Sequence, residues 1–374
     1  MTEALPRDGD LAVHGGLAMR GGLVISAGAQ PRRHVVTHPI VMGAAWFALA
    51  ACAASTAALA ADAGAPPGSP PGSIDGREII VPIPGAERLR IDNPLGNITV
   101  KAWARADSMH IVADKQSSSP EALARLRVHF IAWAGGEISI EARVEAGGRE
   151  RAMPLSASRV DLTIEVPAEL GVEAKTFGGD LAVSGLRAGA RLETTAGRIA
   201  ISDVHGRVIT HQLRGGQTVA AVDGDVDLDG VEGHMQLDRL VGTRVEARVV
   251  DGDIQADDIR SDVVRLSATT GAVVLLGVLR PRAHYDLRSY SGEVRLSVVG
   301  APAGFELRAR SPVPVASTIA LTTLWQKGDR SRAVTRESTT RFDGPNSGGR
   351  PIVELSSVLG RVVVESAHLV DRLQ

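Results

Sequence analysis

One run of alternating acidic residues offers the oxygen ligands that a hard cation needs. The run consists of Asp225, Asp227 and Asp229. Alternating carboxylates open the loop of an EF-hand calcium site, but Gln236 stands where the bidentate glutamate of such a loop is expected. The apolar residues between the aspartates fit the interior of a sheet, which would direct the carboxylates outward. We therefore interpret the run as a solvated acidic face, with a weak Ca²⁺ site between stacked strands as the alternative.

A second cluster has the residue types of a nucleophile and base relay. Ser202, Asp203 and His205 lie close together in the chain, but neighbours in an extended strand point to opposite faces and do not form a relay. Aromatic residues, which would stack on sugar rings in a polysaccharide-acting enzyme, make up only 3% of the chain. We predict a protein without catalytic residues and without a cofactor, and keep a polysaccharide-acting enzyme as an alternative.

The only cysteine, Cys52, lies in an uncharged and largely apolar segment that spans residues 39–61. The basic residues Arg32 and Arg33 precede this segment. Such an order is typical of a signal sequence, so residues 1–61 are predicted to be an N-terminal extension with a signal or anchor segment. The motif Leu49-Ala50-Ala51-Cys52 resembles a bacterial lipobox, which makes Cys52 a candidate for lipidation.

Two other fates of this segment stay open. Cleavage after Ala60, at the small-x-small site Ala58-Leu59-Ala60, would release a soluble protein, and an uncleaved segment of this length could span a membrane. Each of the three fates places the protein in the periplasm, at the outer membrane or on the cell surface. Beyond Cys52 the chain has no cysteine, which excludes disulfides and thiol catalysis from the folded part.

The charge balance and the following linker narrow the choice of partners. A formal charge of −2 gives no case for binding nucleic acid, and contact with a membrane is expected only through the N-terminal segment. Residues 62–75 form a Pro/Gly/Ser linker that cannot build a core and that would hold a folded domain away from a membrane. The partner is therefore expected to be an unidentified envelope or surface component, or a second copy of the chain.

The strands that position these residues are predicted from a repeat of about nine residues. In each unit, apolar residues stand two, four and seven positions after a glycine. The strongest units begin at Gly179, Gly197, Gly224, Gly252, Gly271 and Gly292. The first two apolar residues share one face of a strand, and glycine allows the tight corner before it. The pattern predicts an all-β fold, a parallel β-helix or β-solenoid of stacked strands. Turns with two sides and turns with three sides both fit this period.

The remaining segments flank this regular array, which we place at residues 171–300. Residues 76–170 are predicted to cap the N-terminal end of the solenoid, with one short helix beginning at Ser119 and Pro120. Residues 301–374 are predicted to hold an insertion loop and a last rung, because the repeat returns at Gly360. A terminal rung needs such a cap, since its open edge would otherwise pair with other chains.

Three features of the sequence resemble a bacterial family. They are the segment Leu89–Val100, the repeated glycine corners, and the segment Glu354–Val362. Together they resemble the bacterial putative-adhesin domains of unknown function, over about residues 75–367. The resemblance implies an extracytoplasmic parallel β-solenoid, often carried behind a signal peptide or membrane anchor, and it implies no catalytic residue.

The sequence as a whole therefore predicts a non-enzymatic, exported protein of the cell envelope. It would act as an adhesin-like binding or structural module. The alternatives are a polysaccharide-acting enzyme, a calcium-dependent binder of surface polysaccharide, and an envelope scaffold that assembles with itself.

Overall fold

The computed structural model describes residues 72–73, 78–94, 96–133, 135–145, 158–300, 304–327, 336–343 and 349–367. Within them the chain forms strands almost throughout. The strands are β1 (Gly72–Ser73), β2 (Glu78–Pro82), β3 (Arg88–Asp92), β4 (Ile98–Trp103), β5 (Ser108–Ser117), β6 (Leu126–Ala132), β7 (Glu137–Val144), β8 (Ser158–Pro167), β9 (Gly171–Gly178), β10 (Leu181–Ser184), β11 (Ala190–Ala196), β12 (Ile199–His205), β13 (Val208–Arg214), β14 (Gln217–Asp223), β15 (Val226–Glu232), β16 (Met235–Asp251), β17 (Ile254–Thr270), β18 (Val273–Gly277), β19 (His284–Ser289), β20 (Val294–Val299), β21 (Phe305–Ser311), β22 (Ala316–Ser317), β23 (Thr322–Lys327), β24 (Arg336–Phe342), β25 (Ile352–Ser357) and β26 (Val362–Ala367). Cys52 and Ala60 lie outside the described residues, as does most of the linker.

One short helix, α1 (Pro120–Arg125), confirms the predicted helix near the N-terminal end. The side chain of Ser119 accepts a hydrogen bond from the backbone N–H of Ala122 at 3.1 Å, and Pro120 occupies the start of the helix, where its missing N–H costs nothing. At Leu126 the backbone becomes extended and continues as β6. No helix within the described ranges is long and apolar enough to cross a membrane.

The strands stack into two parallel ladders, which confirms the predicted solenoid. The first sheet contains β4, β10, β12 and β14, and the second sheet contains β9, β11, β13 and β15. The long strands β16 and β17 run through both. Partners such as Val208 and Val226 are one turn apart, a spacing of two repeat units. A turn therefore has two sides, and we call each turn a rung and each bend between the sheets a corner.

The core is a thin layer of small aliphatic side chains between the two sheets, but the third apolar position of the repeat behaves differently in each. In the first sheet, Asp203 adopts a positive φ of 55°, and Val204, which follows it, is fully buried. In the second sheet the strand continues without that bend. Val231 therefore lies on the surface.

Antiparallel strands close both ends of the solenoid. At the N-terminal end β5 pairs antiparallel with β2 and β8, and β6 pairs with β7. At the other end β25 and β26, where the repeat returns at Gly360, stack on β19 and β20 as a further rung. The segment predicted as an insertion loop instead supplies strands β21–β24, of which β21 and β22 lie beyond that rung. These strands cover an edge that would otherwise be free to pair.

Candidate functional site

The aspartates of the acidic run, which was predicted as a solvated face, form hydrogen bonds and ion pairs with neighbouring groups. Asp225 follows the corner glycine, and its Oδ1 accepts hydrogen bonds from the backbone N–H groups of Thr243 at 3.1 Å and Arg244 at 3.0 Å in the next rung. Asp253 binds the N–H of Ala272 in the same way, at 2.7 Å. These aspartates therefore join successive corners, a role that satisfies backbone donors left unpaired by the sheets.

The other two aspartates of the run lie against a guanidinium. Arg248 Nη1 lies 3.4 Å from Asp227 Oδ1 and 2.9 Å from Asp229 Oδ1. The hydrogen bond to Asp229 raises the pKa of Arg248. Among the described residues, no three His, Cys, Asp or Glu side chains come together as a metal site. The arrangement on this face is a charge-paired surface, and the weak Ca²⁺ site stays a prediction.

The same face carries a buried carboxylate, Glu246, which the sequence pattern did not single out. Glu246 is 7% exposed and forms ion pairs with Arg244 and Arg248, while Arg265 lies 4.0 Å away. Burial by itself would raise the pKa of Glu246, but the hydrogen bonds from the two nearer arginines outweigh burial and lower it. Glu246 is thus the centre of a cationic cluster.

The Ser202, Asp203 and His205 group does not assemble. His205 Nδ1 lies 3.7 Å from Asp223 Oδ2 in the adjacent rung, and in the described part of the chain no hydrogen bond joins His205 to Ser202. Because the three side chains are exposed on a strand, no enclosed site surrounds them.

A concavity lies at the C-terminal end, on the outer face of the second sheet. Its volume is about 430 Å³, and side chains from five strands, β19, β21, β23, β24 and β25, line it. Its charged lining residues are Asp286, Arg288, Arg308, Arg310, Glu337 and Glu354. One aromatic side chain, Trp325, joins them and is half-exposed. We call this feature the C-terminal cleft.

Each cleft guanidinium is held by a carboxylate. Arg288 Nε binds Asp286 Oδ1 at 2.6 Å. Arg308 binds Glu354 at 3.2 Å, and Arg310 lies 3.7 Å from Glu337. The pairs place guanidinium N–H donors beside carboxylate oxygens on the cleft wall, and the exposed parts of the arginine side chains remain accessible to a ligand.

A bulge sets the position of the aromatic side chain. The pairing of β23 with β24 shifts register between Thr323 and Trp325. An extra residue at such a point bends the strand and redirects its side chains, and bulges are common next to binding sites. Trp325 thereby lies at the wall of the cleft.

The regular part of this architecture matches a known family. The family model described as Toastrack DUF4097 matches residues 68–311, which is more than half of the 374-residue chain. The chain belongs to this family. The match confirms the resemblance on the repeated glycine corners, and it ends before Trp325, so the Toastrack match does not extend to the far wall of the C-terminal cleft.

Three solved structures are similar to this Toastrack chain at low sequence identity. A putative cell adhesion protein from Clostridium sporogenes is 11% identical, with a TM-score of 0.19, over 80% of this chain and 100% of its own. A putative adhesin from Bacteroides fragilis is 13% identical, with a TM-score of 0.36, over 81% and 100%. A putative adhesin from Parabacteroides merdae is 8% identical, with a TM-score of 0.28, over 78% and 95%. A search of curated proteins found no match.

The cleft of this Toastrack protein has the volume of a small-molecule site, with a lining that is mainly charged and polar. Sites for small ligands commonly have volumes of about 300–1,000 Å³. Sequence reasoning missed the cleft because its residues come from strands that are far apart in the chain. The only local signal was a tryptophan, Trp325, standing next to a segment rich in charged residues.

Proposed function

We propose that this protein is an exported binding module of the cell envelope, which holds a sugar ring of an envelope or surface saccharide in the C-terminal cleft without cleaving it. The observation that carries the proposal is the half-exposed ring of Trp325 in one cleft with three guanidinium groups that are paired with carboxylates. The adhesin-like family is compatible with this function and does not by itself identify a ligand.

The chemistry of a sugar ring explains why these residue types suit it. A pyranose has an apolar C–H face, which packs against a flat aromatic ring, and a rim of hydroxyl groups. Arginine supplies several donors in one plane, and carboxylates accept from hydroxyl groups. Arg308 and Glu354, paired at 3.2 Å, offer both functions side by side.

Binding can be measured with isothermal titration calorimetry, using maltohexaose as a neutral probe and hexagalacturonate as an acidic probe. We expect at least one probe to bind and Trp325→Ala to weaken that binding about tenfold or more, which corresponds to about 1.4 kcal/mol. Trp133→Ala is the matched control, because Trp133 is also about half-exposed but does not line the cleft. Equal losses in the two variants, or no binding of either probe, would contradict the proposal.

The absence of cleavage is tested on the same oligosaccharides. Chromatography after prolonged incubation should return both probes at their original length. Shortened products that disappear in Glu354→Gln would favour the alternative of a polysaccharide-acting enzyme. Repeating the calorimetry with and without Ca²⁺ tests the calcium-dependent binder, which requires the affinity to fall when the ion is removed.

Export and anchoring rest on the apolar segment of residues 39–61 and on Cys52. If Cys52 carries lipid, the native protein incorporates labelled palmitate, whereas Cys52→Ala does not and moves to the soluble fraction. An unlabelled native protein with a mature N-terminus at Ala61 would instead favour cleavage after Ala60. A protein that stays in the cytoplasm with its N-terminal segment intact would contradict export.

A further inference from the structure

A row of side chains that are exposed, except for the partly buried Thr195, runs along the solenoid, one from each of seven successive rungs, at or just after the end of the strand in the second sheet. The row consists of Phe177, Thr195, Leu213, Val231, Val250, Thr269 and Tyr290. Its five apolar members are 40–65% exposed. Exposed apolar side chains that form a continuous line mark an interaction surface more often than scattered ones do.

The strand register aligns these residues. The residues on either side of Leu213 pair with the residues on either side of Val231, so these two side chains are aligned on neighbouring strands. The same relation aligns Val231 with Val250. Because neighbouring strands lie about 4.8 Å apart, the six steps of the row extend over roughly 29 Å. The row is therefore straight and regularly spaced, so its residues can align with those of an identical row on a second molecule.

The order of side chains along the row is the same from either end. Val231 is the central residue, with an aliphatic side chain on each side, then a threonine, then an aromatic ring. If the row is turned end over end about Val231, Leu213 meets Val250 and Phe177 meets Tyr290. This is the pattern of an isologous interface, in which residue i of one copy contacts residue j of the other and the reverse.

Charges beside the row favour the same arrangement. Arg214 and Asp251 each follow a member of the row and are exposed, and they occupy rungs at equal distances from the centre. Glu232, which follows Val231 at the centre, would face the Glu232 of the other copy at the axis, and its ion pair with Arg214 of its own chain, at 3.3 Å, offsets that repulsion. In an antiparallel pair of copies, Arg214 of one faces Asp251 of the other. In a parallel pair each of these side chains would face the same residue of the other copy, so that like charges would meet, which is unfavourable.

The charges on the other side of the row limit the contact. Lys175 and Arg288 lie two positions before Phe177 and Tyr290, and both are exposed. If the outer faces of the second sheets of two antiparallel copies packed against each other, Lys175 of one copy would lie opposite Arg288 of the other, and the like charges would repel. The contact therefore lies along the row and the corner beside it.

We propose that the row is a docking surface for a second copy of this chain, with the two solenoids antiparallel and a two-fold axis passing by Val231. The reversed order of the row, its constant spacing and the opposed charges of Arg214 and Asp251 favour this occupant over an unrelated protein or a membrane. The proposal does not depend on the C-terminal cleft or on its ligand.

Cysteine cross-linking tests the geometry. In the full chain with Cys52→Ala, an added cysteine is the only thiol. Val231→Cys should form a disulfide-linked dimer under mild oxidation, because each copy places this residue at the axis. Leu213→Cys alone should not, because Leu213 of one copy lies two rungs away from Leu213 of the other, which is beyond the roughly 7 Å between Cα atoms that a disulfide can span. A mixture of Leu213→Cys and Val250→Cys should cross-link, and Thr218→Cys, exposed on the first sheet, is the negative control.

Sedimentation measures the assembly itself. The native full chain should sediment as a dimer, and Val231→Asp, which places a charge in the row at an exposed position, should sediment as a monomer with unchanged circular dichroism. A native chain that stays monomeric at about 100 μM, or a dimer insensitive to Val231→Asp, would overturn the proposal. Monomers that bind phosphatidylglycerol vesicles and lose that binding in Val231→Asp would also overturn it and assign the row to a membrane.

Discussion

The carbonyl oxygen of Gly215 lies only 1.5 Å from the position that a β-carbon on Gly233 would occupy. The same approach recurs along the corner column, where a β-carbon on Gly252 would lie 1.9 Å from the carbonyl oxygen of Gly233. Both glycines also have positive φ values, of 140° and 146°. The rungs can therefore stack at strand spacing only because the corner has no side chain.

Replacing a corner glycine should destabilise the solenoid even when the new side chain is a methyl group. Gly233→Ala must move backbone atoms of two rungs, and we expect a loss of about 3 kcal/mol or more in the free energy of unfolding. Gly178→Ala is the matched control, because a β-carbon there meets no atom within 4 Å. Urea denaturation measures both, and similar losses in the two variants would contradict the corner role.

Asp225 should contribute to stability through its acceptor oxygen. Asp225→Ala removes the partner of two backbone N–H groups, and we expect a loss of about 1 kcal/mol. Asp225→Asn retains an oxygen and should be nearly neutral. Thermal melts of both variants, with and without Ca²⁺, check this role. A rise in melting temperature with Ca²⁺ that Asp227→Asn abolishes would instead identify a cation site.

His110 should make the N-terminal cap sensitive to pH. Its ring contacts Glu165 and Glu78, each at 2.9 Å. The hydrogen bond to Glu165, with a smaller contribution from Glu78, raises the pKa of His110 despite partial burial. A raised pKa stabilises the fold below the ordinary value of about 6.5, and the gain is lost as the pH rises through the raised value.

The measurement for His110 is a comparison of melting temperatures with His110→Gln. The native protein should melt higher at about pH 5.5, and the difference should shrink by about pH 8.5. A difference that is constant with pH would show that the ring acts by packing and not by its charge.

Glu246 should have the opposite pH dependence. Its lowered pKa means that the stabilisation is present at neutral pH and is lost as the pH falls through the lowered value. Glu246→Gln leaves the surrounding arginines without their common partner, and we expect a loss of about 1–3 kcal/mol at neutral pH. Glu193→Gln breaks an exposed pair with Lys175 and should cost less than about 1 kcal/mol. Urea denaturation at several pH values checks both, and equal losses would contradict the central role of Glu246.

The sequence by itself determined the class of fold. Apolar residues two and four positions after a glycine, such as Ile199 and Ile201 after Gly197, are buried as the alternation predicts. The helix start at Ser119 was also readable, because capping depends on residues next to each other in the chain. Features fixed by local geometry were therefore predictable.

The cleft and the position of the last rung were decided by the tertiary structure. β25 pairs with β19 on one side and with β21 on the other, although β21 comes between them in the chain. The cleft depends on this order, since Arg288, Glu354 and Arg308 become neighbours only when their strands do. A repeat pattern records which face of a strand is buried, but it does not record which strands pair.

The number of sides per turn and the fate of the third apolar residue were also decided by the tertiary structure. Asp203 adopts a positive φ in the first sheet, whereas Gly230, at the same place in a second-sheet unit, does not. The bend at Asp203 lets Val204 reach the core, and the straight strand at Gly230 leaves Val231 on the surface. Residue type would have predicted the reverse, because glycine tolerates that conformation best. The stacking of each rung on its neighbours imposes the backbone conformation and overrides the local preference.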